Sequence, residues 1–331
     1  MNKNSYKIRC KICGNKLQKR GKNRNGTQRY YCINCNKSST SKKEENTKIN
    51  TFNLYIKWII DSTKIKDKIG MNSRTFYNKI SSCWDIKPII KSDGIPSDFI
   101  IVDGTYSNNN ECLLIIRNDN YVLNFKWSKS ENFNDYYELL KFIEEPKYLI
   151  CDGSSPLIKA AKKLWKNIGI QRCLVHIVRN ATNKLGKRSP IFQNQIFRKH
   201  ISKLTDIKTL EEAEIWYKDF TNLYNRHKGF IEEKSYRIDE ETGEILSEFR
   251  KHKNLFSVCN QILKLYNKDM LFLYLKVHIP NNTNLLEGGI NSPIKNLIRC
   301  HRGISISHQK RMCEWYLVSR SKNGINYHDF R

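Results

Sequence analysis

The sequence predicts a multidomain α/β protein, and three observations support this fold class. The first 35 residues contain two Cys-x-x-Cys pairs, which are typical of a small metal-stabilised module. Residues 97–180 alternate strand-like apolar runs with amphipathic helical stretches. Residues 181–280 are polar with helical periodicity, and at 331 residues the chain is long enough for two or three domains.

Charge is the most unusual feature of the composition. The chain has 59 Lys and Arg residues against 32 Asp and Glu residues, a formal net charge of +27. Net charge says little about the fold but indicates the partner, and nucleic acid fits better than a membrane surface. The sequence has no apolar run of membrane-spanning length and no apolar signal core at its N-terminus, so we expect a soluble cytoplasmic protein without a membrane segment.

Four cysteines are spaced as a zinc site. Cys10 and Cys13 form one Cys-x-x-Cys turn and Cys32 and Cys35 form another, and each turn can present two thiolates to one tetrahedral ion. The intervening residues predict a hairpin over 17–31. A segment this short buries too little surface to fold alone, so the metal would supply the folding energy. We predict structural Zn²⁺, and the alternatives are an iron site or a chance grouping.

The same N-terminal segment is strongly basic. Residues 1–43 contain thirteen Lys and Arg residues and no Asp or Glu, and Arg29 is followed by Tyr30 and Tyr31. This pattern favours a zinc ribbon that contacts DNA, with Arg29 among the contacts. The alternative is a solvated basic tail.

Residues 48–86 predict a helix-turn-helix. A helical stripe ends near Asp61, and a shorter pair of helices follows over 63–80, with Ser73 capping the second helix. Its core face would be Phe76, Tyr77 and Ile80, and an ordinary helical hairpin is the alternative reading. The side chains that would point toward the DNA major groove are Arg74, Asn78 and Lys79.

The segment 97–180 predicts the element order βββαβαβ. Asn-rich turns join the first three strands into an antiparallel meander. This order is that of the ribonuclease-H-like fold, in which the first and fourth strands are central neighbours. The predicted strands are 99–106, 111–117, 121–127, 148–152 and 171–175, and the predicted helices are 132–145 and 156–166.

Three acidic residues are the candidate catalytic groups. Asp103 and Asp152 each close an apolar run and precede a glycine, and neighbouring strands would place them side by side. Adjacent carboxylates repel each other, and a divalent cation relieves that conflict. Glu287 would be the third acid, in the first turn of a helix after the insertion. The alternatives are that both Asp-Gly pairs only form turns and that Glu287 only completes a helix cap behind Asn284.

A Cys-x-x-His pair lies between the second and third acids. Cys173 and His176 offer only two ligands, too few for a closed zinc site. We therefore expect them to pack in the core or to orient the acids.

Several motifs occur in one order along nearly the whole chain. They are Val102-Asp103-Gly104-Thr105-Tyr106, Cys151-Asp152-Gly153, Cys173-Leu-Val-His176, Thr283-Asn284-Leu285-Leu286-Glu287 and two C-terminal stretches that begin at Arg299 and His308. Together they resemble the DDE transposases of bacterial insertion sequences in the Mutator-like superfamily, in the variant group with an N-terminal zinc-binding ribbon.

The resemblance implies a ribonuclease-H-like catalytic core interrupted by an all-helical insertion. It also implies DNA phosphoryl transfer with two Mg²⁺ or Mn²⁺ ions, held by Asp103, Asp152 and Glu287. The expected partners are double-stranded DNA, as terminal inverted repeats and as target, and a second copy of the chain. Arg299 and Arg302 could hold phosphates, or they could simply be solvated. The expected location is the bacterial cytoplasm, associated with the nucleoid.

The predicted organisation has five parts, and two other functions compete with transposition. A regulator that only binds DNA would use the ribbon and the helix-turn-helix, and another ribonuclease-H-like nuclease would use the acids on a different substrate. The predicted parts are a zinc ribbon at 1–43, a helix-turn-helix at 48–86, a first core part at 97–180, a helical insertion at 181–280 and a core completion at 281–331.

Overall fold

The structure is a computed structural model that describes residues 9–10, 12–24, 26–61, 70–92, 94–107 and 111–330, apart from the side chains of residues 41–46 and 330. The first helix of the predicted helix-turn-helix, within 63–69, lies outside the described residues. The chain forms two compact units. The first comprises Met1–Pro88, Leu297–Tyr316 and Ile325–Arg331, and the second comprises Ile89–Asn296 and Leu317–Gly324.

The first unit begins with a small antiparallel sheet. Its strands are β1 (Gln18–Lys22), β2 (Gln28–Cys32) and β3 (Lys37–Ser39), in that order, and helices α1 (Ser41–Ile60) and α2 (Ser73–Ile80) follow. The predicted hairpin is confirmed, since Gln18 of β1 lies opposite Tyr31 of β2. The third strand was not predicted, because its three residues are too few to show an alternating pattern.

Helix α1 contributes four buried apolar side chains to the core of this unit. Phe52, Tyr55, Trp58 and Ile59 are each at most 5% exposed, which confirms the predicted helical stripe. Trp58 packs edge-on against Phe76 of α2, with ring centroids 5.2 Å apart. Aromatic rings in this arrangement stabilise a core beyond the surface they bury.

Helix α2 differs from the prediction in two details. Asn72, not Ser73, is the N-cap, and its side chain accepts a backbone hydrogen bond of 2.9 Å in the first turn. Tyr77 is 44% exposed, whereas Phe76 and Ile80 are fully buried. Residues four positions apart share a helix face, so the neighbouring position 77 turns away from the core.

The second unit is built on a five-stranded mixed sheet. Its strands are β4 (Phe99–Tyr106), β5 (Cys112–Arg117), β6 (Val122–Ser128), β7 (Tyr148–Cys151) and β8 (Gly169–Arg172), in the order β6-β5-β4-β7-β8. β4 pairs antiparallel with β5 and parallel with β7, with Val102 opposite Cys151. The prediction that the first and fourth strands are neighbours is therefore confirmed. Helices α3 (Phe133–Leu140) and α4 (Ser155–Leu164) connect the last three strands.

The last strand of this core was predicted at residues 171–175, and this position is wrong because the strand begins and ends earlier, at Gly169 and Arg172. β8 ends at Arg172, and Cys173 is the N-cap of the next helix, α5 (Leu174–Leu185). The backbone N–H of Cys173 donates a 2.8 Å hydrogen bond to the carbonyl of Cys151, which turns the chain out of the sheet. The apolar residues after this turn therefore continue as a helix.

The insertion is not all-helical, so that part of the predicted fold is wrong. Between its helices lies an antiparallel hairpin of β9 (Lys234–Ile238) and β10 (Ile245–Arg250). Asp239 closes the turn, because its carboxylate accepts backbone hydrogen bonds from Glu241 and Thr242 at 2.9 and 2.8 Å. The helices are α6 (Phe192–Ser202), α7 (Leu210–Arg226), α8 (Lys228–Ile231), α9 (Lys253–Asn267) and α10 (Leu273–Val277).

The chain ends in a series of helical segments. They are α11 (Asn284–Leu286), a π-helical turn (Glu287–Asn291), α12 (Ser292–Cys300) and α13 (Ile306–Ser319). Across the described part of the chain, no helix combines the length and the apolar character needed to cross a membrane.

Candidate active site

Asp103 and Asp152 lie at the ends of neighbouring parallel strands. Asp103 is in β4, one residue beyond the paired Val102 and Cys151, and Asp152 directly follows β7. Because these strands run in parallel and in register, both carboxylates belong to the same edge of the sheet. Asp103 is 8% exposed, and Asp152 is partly buried.

Burial and neighbouring negative charge raise the pKa of Asp103 to about 7. Removal from water is the larger cause, and the carboxylates of Asp152 and Glu287 add to it, while His176 acts in the opposite direction. The Nδ2 of Asn291 donates a 3.1 Å hydrogen bond to Oδ2 of Asp103. The Oδ1 of Asn291 is buried and has no hydrogen-bond partner among the described residues. A bound cation would offset the free-energy cost of burying the Asp103 carboxylate and the Oδ1 of Asn291.

Asp152 is held by the turn that follows it. Its Oδ1 accepts a 2.9 Å hydrogen bond from the backbone of Ser154, and Arg172 donates to its carbonyl oxygen. Gly153 has a φ of +99°, and a Cβ there would lie only 1.6 Å from the guanidinium carbon of Arg172. The backbone conformation therefore favours glycine here, and any side chain would also have to displace the guanidinium of Arg172.

Glu287 reaches the site at a change of helical type. Thr283 precedes α11, and Glu287 opens the π-helical turn. The hydroxyl of Thr283 donates a 2.9 Å hydrogen bond to Oε1 of Glu287. The alternative reading, in which Glu287 only completes a cap at Asn284, does not match this helix, because Asn284 is its first residue and Thr283 is the N-cap. Single π-helical turns within α-helices are frequent at functional sites.

Helix α5 places further polar side chains around Glu287. The Nδ1 of His176 lies 3.5 Å from Oε1 of Glu287, and Nη2 of Arg179 lies 3.4 Å from Oε2. The Sγ of Cys173 accepts a 3.5 Å hydrogen bond from Thr283. One ligand atom from each of Cys173, His176 and Glu287 lies within 4.8 Å of the others. The sequence indicated only two of these three groups as neighbours.

Cys173 and His176 shift each other's pKa. Hydrogen bonding to Cys173 raises the pKa of His176, and the charges of Glu287 and Asp103 add to this effect against burial. Burial alone would raise the pKa of Cys173, but hydrogen bonds from His176 and Thr283 outweigh it and lower that pKa. The two groups therefore shift in opposite directions, each because of the other.

Two buried side chains position the chain as it returns from the insertion. Gln171 of β8 donates to the carbonyl of Leu271 at 3.1 Å and accepts from the backbone of Tyr274 at 2.9 Å. Arg117 of β5 donates to the carbonyl of Leu285 at 2.8 Å. Sequence reasoning missed both residues, because each partner is about a hundred or more positions away and no local pattern marks the contact.

The four N-terminal cysteines form a second candidate metal site. All four sulfurs lie within 4.8 Å of one another, with Cys10 3.9 Å from Cys35 and Cys13 3.5 Å from Cys32. Sulfurs on a tetrahedral ion with bonds of about 2.3 Å would be about 3.8 Å apart, so this geometry could accept such an ion. Backbone N–H groups of Cys13 and Ile12 lower the pKa of Cys10 to about 6, whereas burial and the neighbouring thiols raise the pKa values of Cys32 and Cys35.

The predicted DNA-contacting side chains are all exposed and all belong to the first unit, whereas the three acids belong to the second. Arg29 is on β2, Arg299 is in α12 and Arg302 follows that helix. On α2, the exposed polar residues are Arg74, Asn78 and Lys79.

The fold and the site define an α/β protein with clustered carboxylates at the edge of a mixed sheet and a separate four-cysteine cluster. Residues 129–285 match the family model described as Transposase, Mutator family, which confirms the resemblance to Mutator-like transposases. The matched segment contains Asp152, Cys173 and His176, whereas Asp103 and Glu287 lie outside it. No curated protein matches the chain.

Proposed function

We propose that this protein is a DDE transposase with a ribonuclease-H-like core. It cleaves DNA at the terminal inverted repeats of its own element and joins the 3′ ends to target DNA. The observation that carries the proposal is that Asp103 and Asp152 end neighbouring parallel strands, with Asn291 of the turn that Glu287 opens bonded to Asp103. The charges of Asp152 and Glu287 also raise the pKa of Asp103. The strand order β6-β5-β4-β7-β8, with the two aspartates on the central pair, supports the fold assignment.

Asp103, Asp152 and Glu287 would hold two Mg²⁺ or Mn²⁺ ions. The site fits hard cations, because its donors are carboxylate oxygens and the buried Oδ1 of Asn291 has no other partner among the described residues. When bound, such ions activate the attacking water or 3′-hydroxyl and stabilise the leaving oxygen. A thiol is a poor ligand for Mg²⁺, so we assign Cys173 to the orientation of its neighbours.

Neighbouring side chains hold two of the three carboxylates in place. Thr283 and His176 approach one oxygen of Glu287, and Arg179 approaches the other. Asn291 orients Asp103 in the same way. Side chains that support metal ligands in this manner commonly change metal affinity or activity ten- to a hundredfold when they are replaced.

The first unit would recognise the DNA ends. We propose that its four cysteines hold structural Zn²⁺ and that the basic ribbon, with Arg29, contacts the phosphate backbone. Helix α2 would present Arg74, Asn78 and Lys79 to the major groove. Joining two ends of one element requires two active sites near each other, so we propose a dimer or larger assembly on DNA.

The test is an end-cleavage and strand-transfer assay with Mg²⁺ or Mn²⁺ on duplexes that carry the element's terminal repeats. Wild type should cut and join, and Asp103→Asn, Asp152→Asn and Glu287→Gln should each bind the ends without cutting them. Asp98→Asn is the matched control, since Asp98 is an exposed acid of the same unit that pairs with Lys147.

Three outcomes would contradict the proposal. Wild type that binds the ends but never cuts them would be a regulator. Preferential cutting of junctions or RNA–DNA hybrids would indicate another nuclease of this fold. Cleavage that survives in both Asp103→Asn and Asp152→Asn would remove the assigned active site.

A further inference from the structure

A groove with a volume of about 790 Å³ lies in the second unit between α4, β10 and α9. Its lining contains seven cationic side chains and not one carboxylate, and we call it the basic groove. The cationic residues are Lys159, Lys162, Arg172, Arg250, Lys253, Lys264 and Lys268.

One face of α9, extended by its C-cap Lys268, forms a wall of the basic groove. Lys253, Ser257, Asn260, Lys264 and Lys268 all line it, at successive intervals of four, three, four and four positions. This spacing keeps the five side chains on one side of a helix. The row is about 22 Å long at a rise of about 1.5 Å per residue. Three of the five residues are lysines, so the row offers three cationic contacts to a phosphate backbone.

The lysines of the groove are not neutralised by the protein. All five are exposed, and within the described part of the chain none has a carboxylate at ion-pair distance. Lysines just outside the groove behave differently, since Lys276 pairs with Asp269 at 2.7 Å and Lys251 pairs with Glu233 at 2.7 Å. Unpaired cations in a concave surface concentrate positive potential and attract a polyanion.

The basic groove begins at the catalytic end of the sheet. Gly153 and Arg172 both line it, and Arg172 donates a hydrogen bond to the carbonyl oxygen of Asp152. Arg172 is 8% exposed and packs directly against Gly153. A strand of phosphates that follows the groove would therefore arrive beside one of the three acids.

We propose that the basic groove binds the phosphate backbone of the DNA segment that enters the active site. This inference rests on the proposed function and adds the path of the substrate. Its basis is a lining with seven cations and no carboxylate, the row of lysines along α9 and the contact of Arg172 with Asp152. A small polyanion such as a nucleotide would engage only part of the row.

The experiment measures how the DNA affinity of the full-length protein depends on salt concentration. Divalent metal is left out, and the duplex contains a terminal repeat with flanking DNA on both sides. Lys264→Gln with Lys268→Gln removes two contacts, so the slope of log K against log salt should fall by about 1.8. Between 50 and 200 mM salt, the variant should then lose about twelvefold less affinity than wild type. Lys208→Gln with Lys218→Gln is the control, since both lysines are exposed and outside the groove.

An unchanged slope in the groove variant, or an equal change in the control, would overturn the proposal. Binding of ATP or inorganic polyphosphate that depends on Lys264 and Lys268, with an unchanged DNA slope, would also overturn it and assign a small ligand. The end-cleavage assay separates this result from the fate of the proposed function. If wild type cleaves but the groove variant keeps the wild-type slope, only the role of the groove is rejected. If the variant lowers the slope but wild type does not cleave, only the catalytic assignment is rejected.

Discussion

The buried guanidinium of Arg117 donates a 2.8 Å hydrogen bond to the carbonyl oxygen of Leu285, although 168 positions separate the two residues. Arg117 also donates to the carbonyls of Asn118 and Asp119, at 2.8 and 2.6 Å. One side chain thus ties the turn after β5 to the segment that carries Glu287. The position of the third acid therefore depends on a residue of the second core strand.

Replacement of this arginine should weaken both stability and catalysis. Arg117→Met leaves three carbonyl oxygens without their donor, and unpaired buried polar groups cost on the order of 1–3 kcal/mol. We expect a lower free energy of unfolding in denaturant titrations and weaker end cleavage, with partial recovery in Arg117→Lys. Arg226→Met is the control, since Arg226 is exposed on α7. Equal stability of the two methionine variants would contradict this role.

His176 should act through Glu287 and not through the DNA. His176→Ala removes the imidazole 3.5 Å from Oε1 of Glu287, so the carboxylate loses a fixed neighbour. We expect the Mg²⁺ concentration for half-maximal cleavage to rise about ten- to a hundredfold, with unchanged end binding in a gel-shift assay. An unchanged Mg²⁺ dependence would show that His176 has no part in positioning the acid.

Asp103 should make the stability of the metal-free protein depend on pH. Its pKa is raised from 3.8 to about 7, so the folded state holds a proton that the unfolded state releases, and stability falls as pH rises from about 4 to about 7. The shift corresponds to about 4 kcal/mol in total. Thermal unfolding of wild type and Asp103→Asn across this pH range measures the effect. If the stabilities of wild type and Asp103→Asn changed in parallel with pH, this role of Asp103 would be contradicted. Added Mg²⁺ should stabilise wild type more near pH 7 than near pH 4.

The four-cysteine cluster should hold one Zn²⁺ per chain and support recognition of DNA ends. Cys32→Ser removes one of four sulfurs that lie within 4.8 Å of one another, so an open three-ligand site remains. We expect loss of the bound zinc by elemental analysis and loss of specific end binding. The control is Cys259→Ser, a buried free cysteine of α9. Zinc retained at full stoichiometry in Cys32→Ser would place the ion elsewhere.

Gly153 should be intolerant of the smallest side chain. In Gly153→Ala the new Cβ would overlap Arg172, and a φ of +99° is unfavourable for alanine. We expect a loss on the order of 1–3 kcal/mol in the free energy of unfolding, together with reduced cleavage because Asp152 is the adjacent residue. Gly229→Ala is the control, since Gly229 lies in α8 and a Cβ there meets nothing within 4 Å. Equal effects in both variants would exclude the steric account.

Local patterns were sufficient for much of the second unit. Apolar runs that end in Asp-Gly predicted both β4 and β7, and the order of elements predicted that these strands pair, as Val102 and Cys151 do. Each of these features is encoded within a few residues by hydrophobic patterning. The spacing of the cysteines likewise predicted that all four sulfurs would meet.

Local patterns failed where a contact joins distant parts of the chain. The charged stretch that forms β9 and β10 was expected to be helical, although its strands are stabilised mainly by pairing with each other across the turn at Asp239. The surroundings of Glu287 were also not predictable, since Arg179 reaches it over 108 positions.

The sequence by itself therefore determined the acids, the cysteines, the strand order and the basic character of this protein. Only the tertiary structure decided that Thr283, His176 and Arg179 surround Glu287, that Asn291 orients Asp103 and that the lysines of α4 and α9 face one groove. The physical reason is range. Hydrophobic periodicity acts over a few residues, whereas a buried hydrogen bond or a shared cavity depends on where the chain returns after a hundred residues or more.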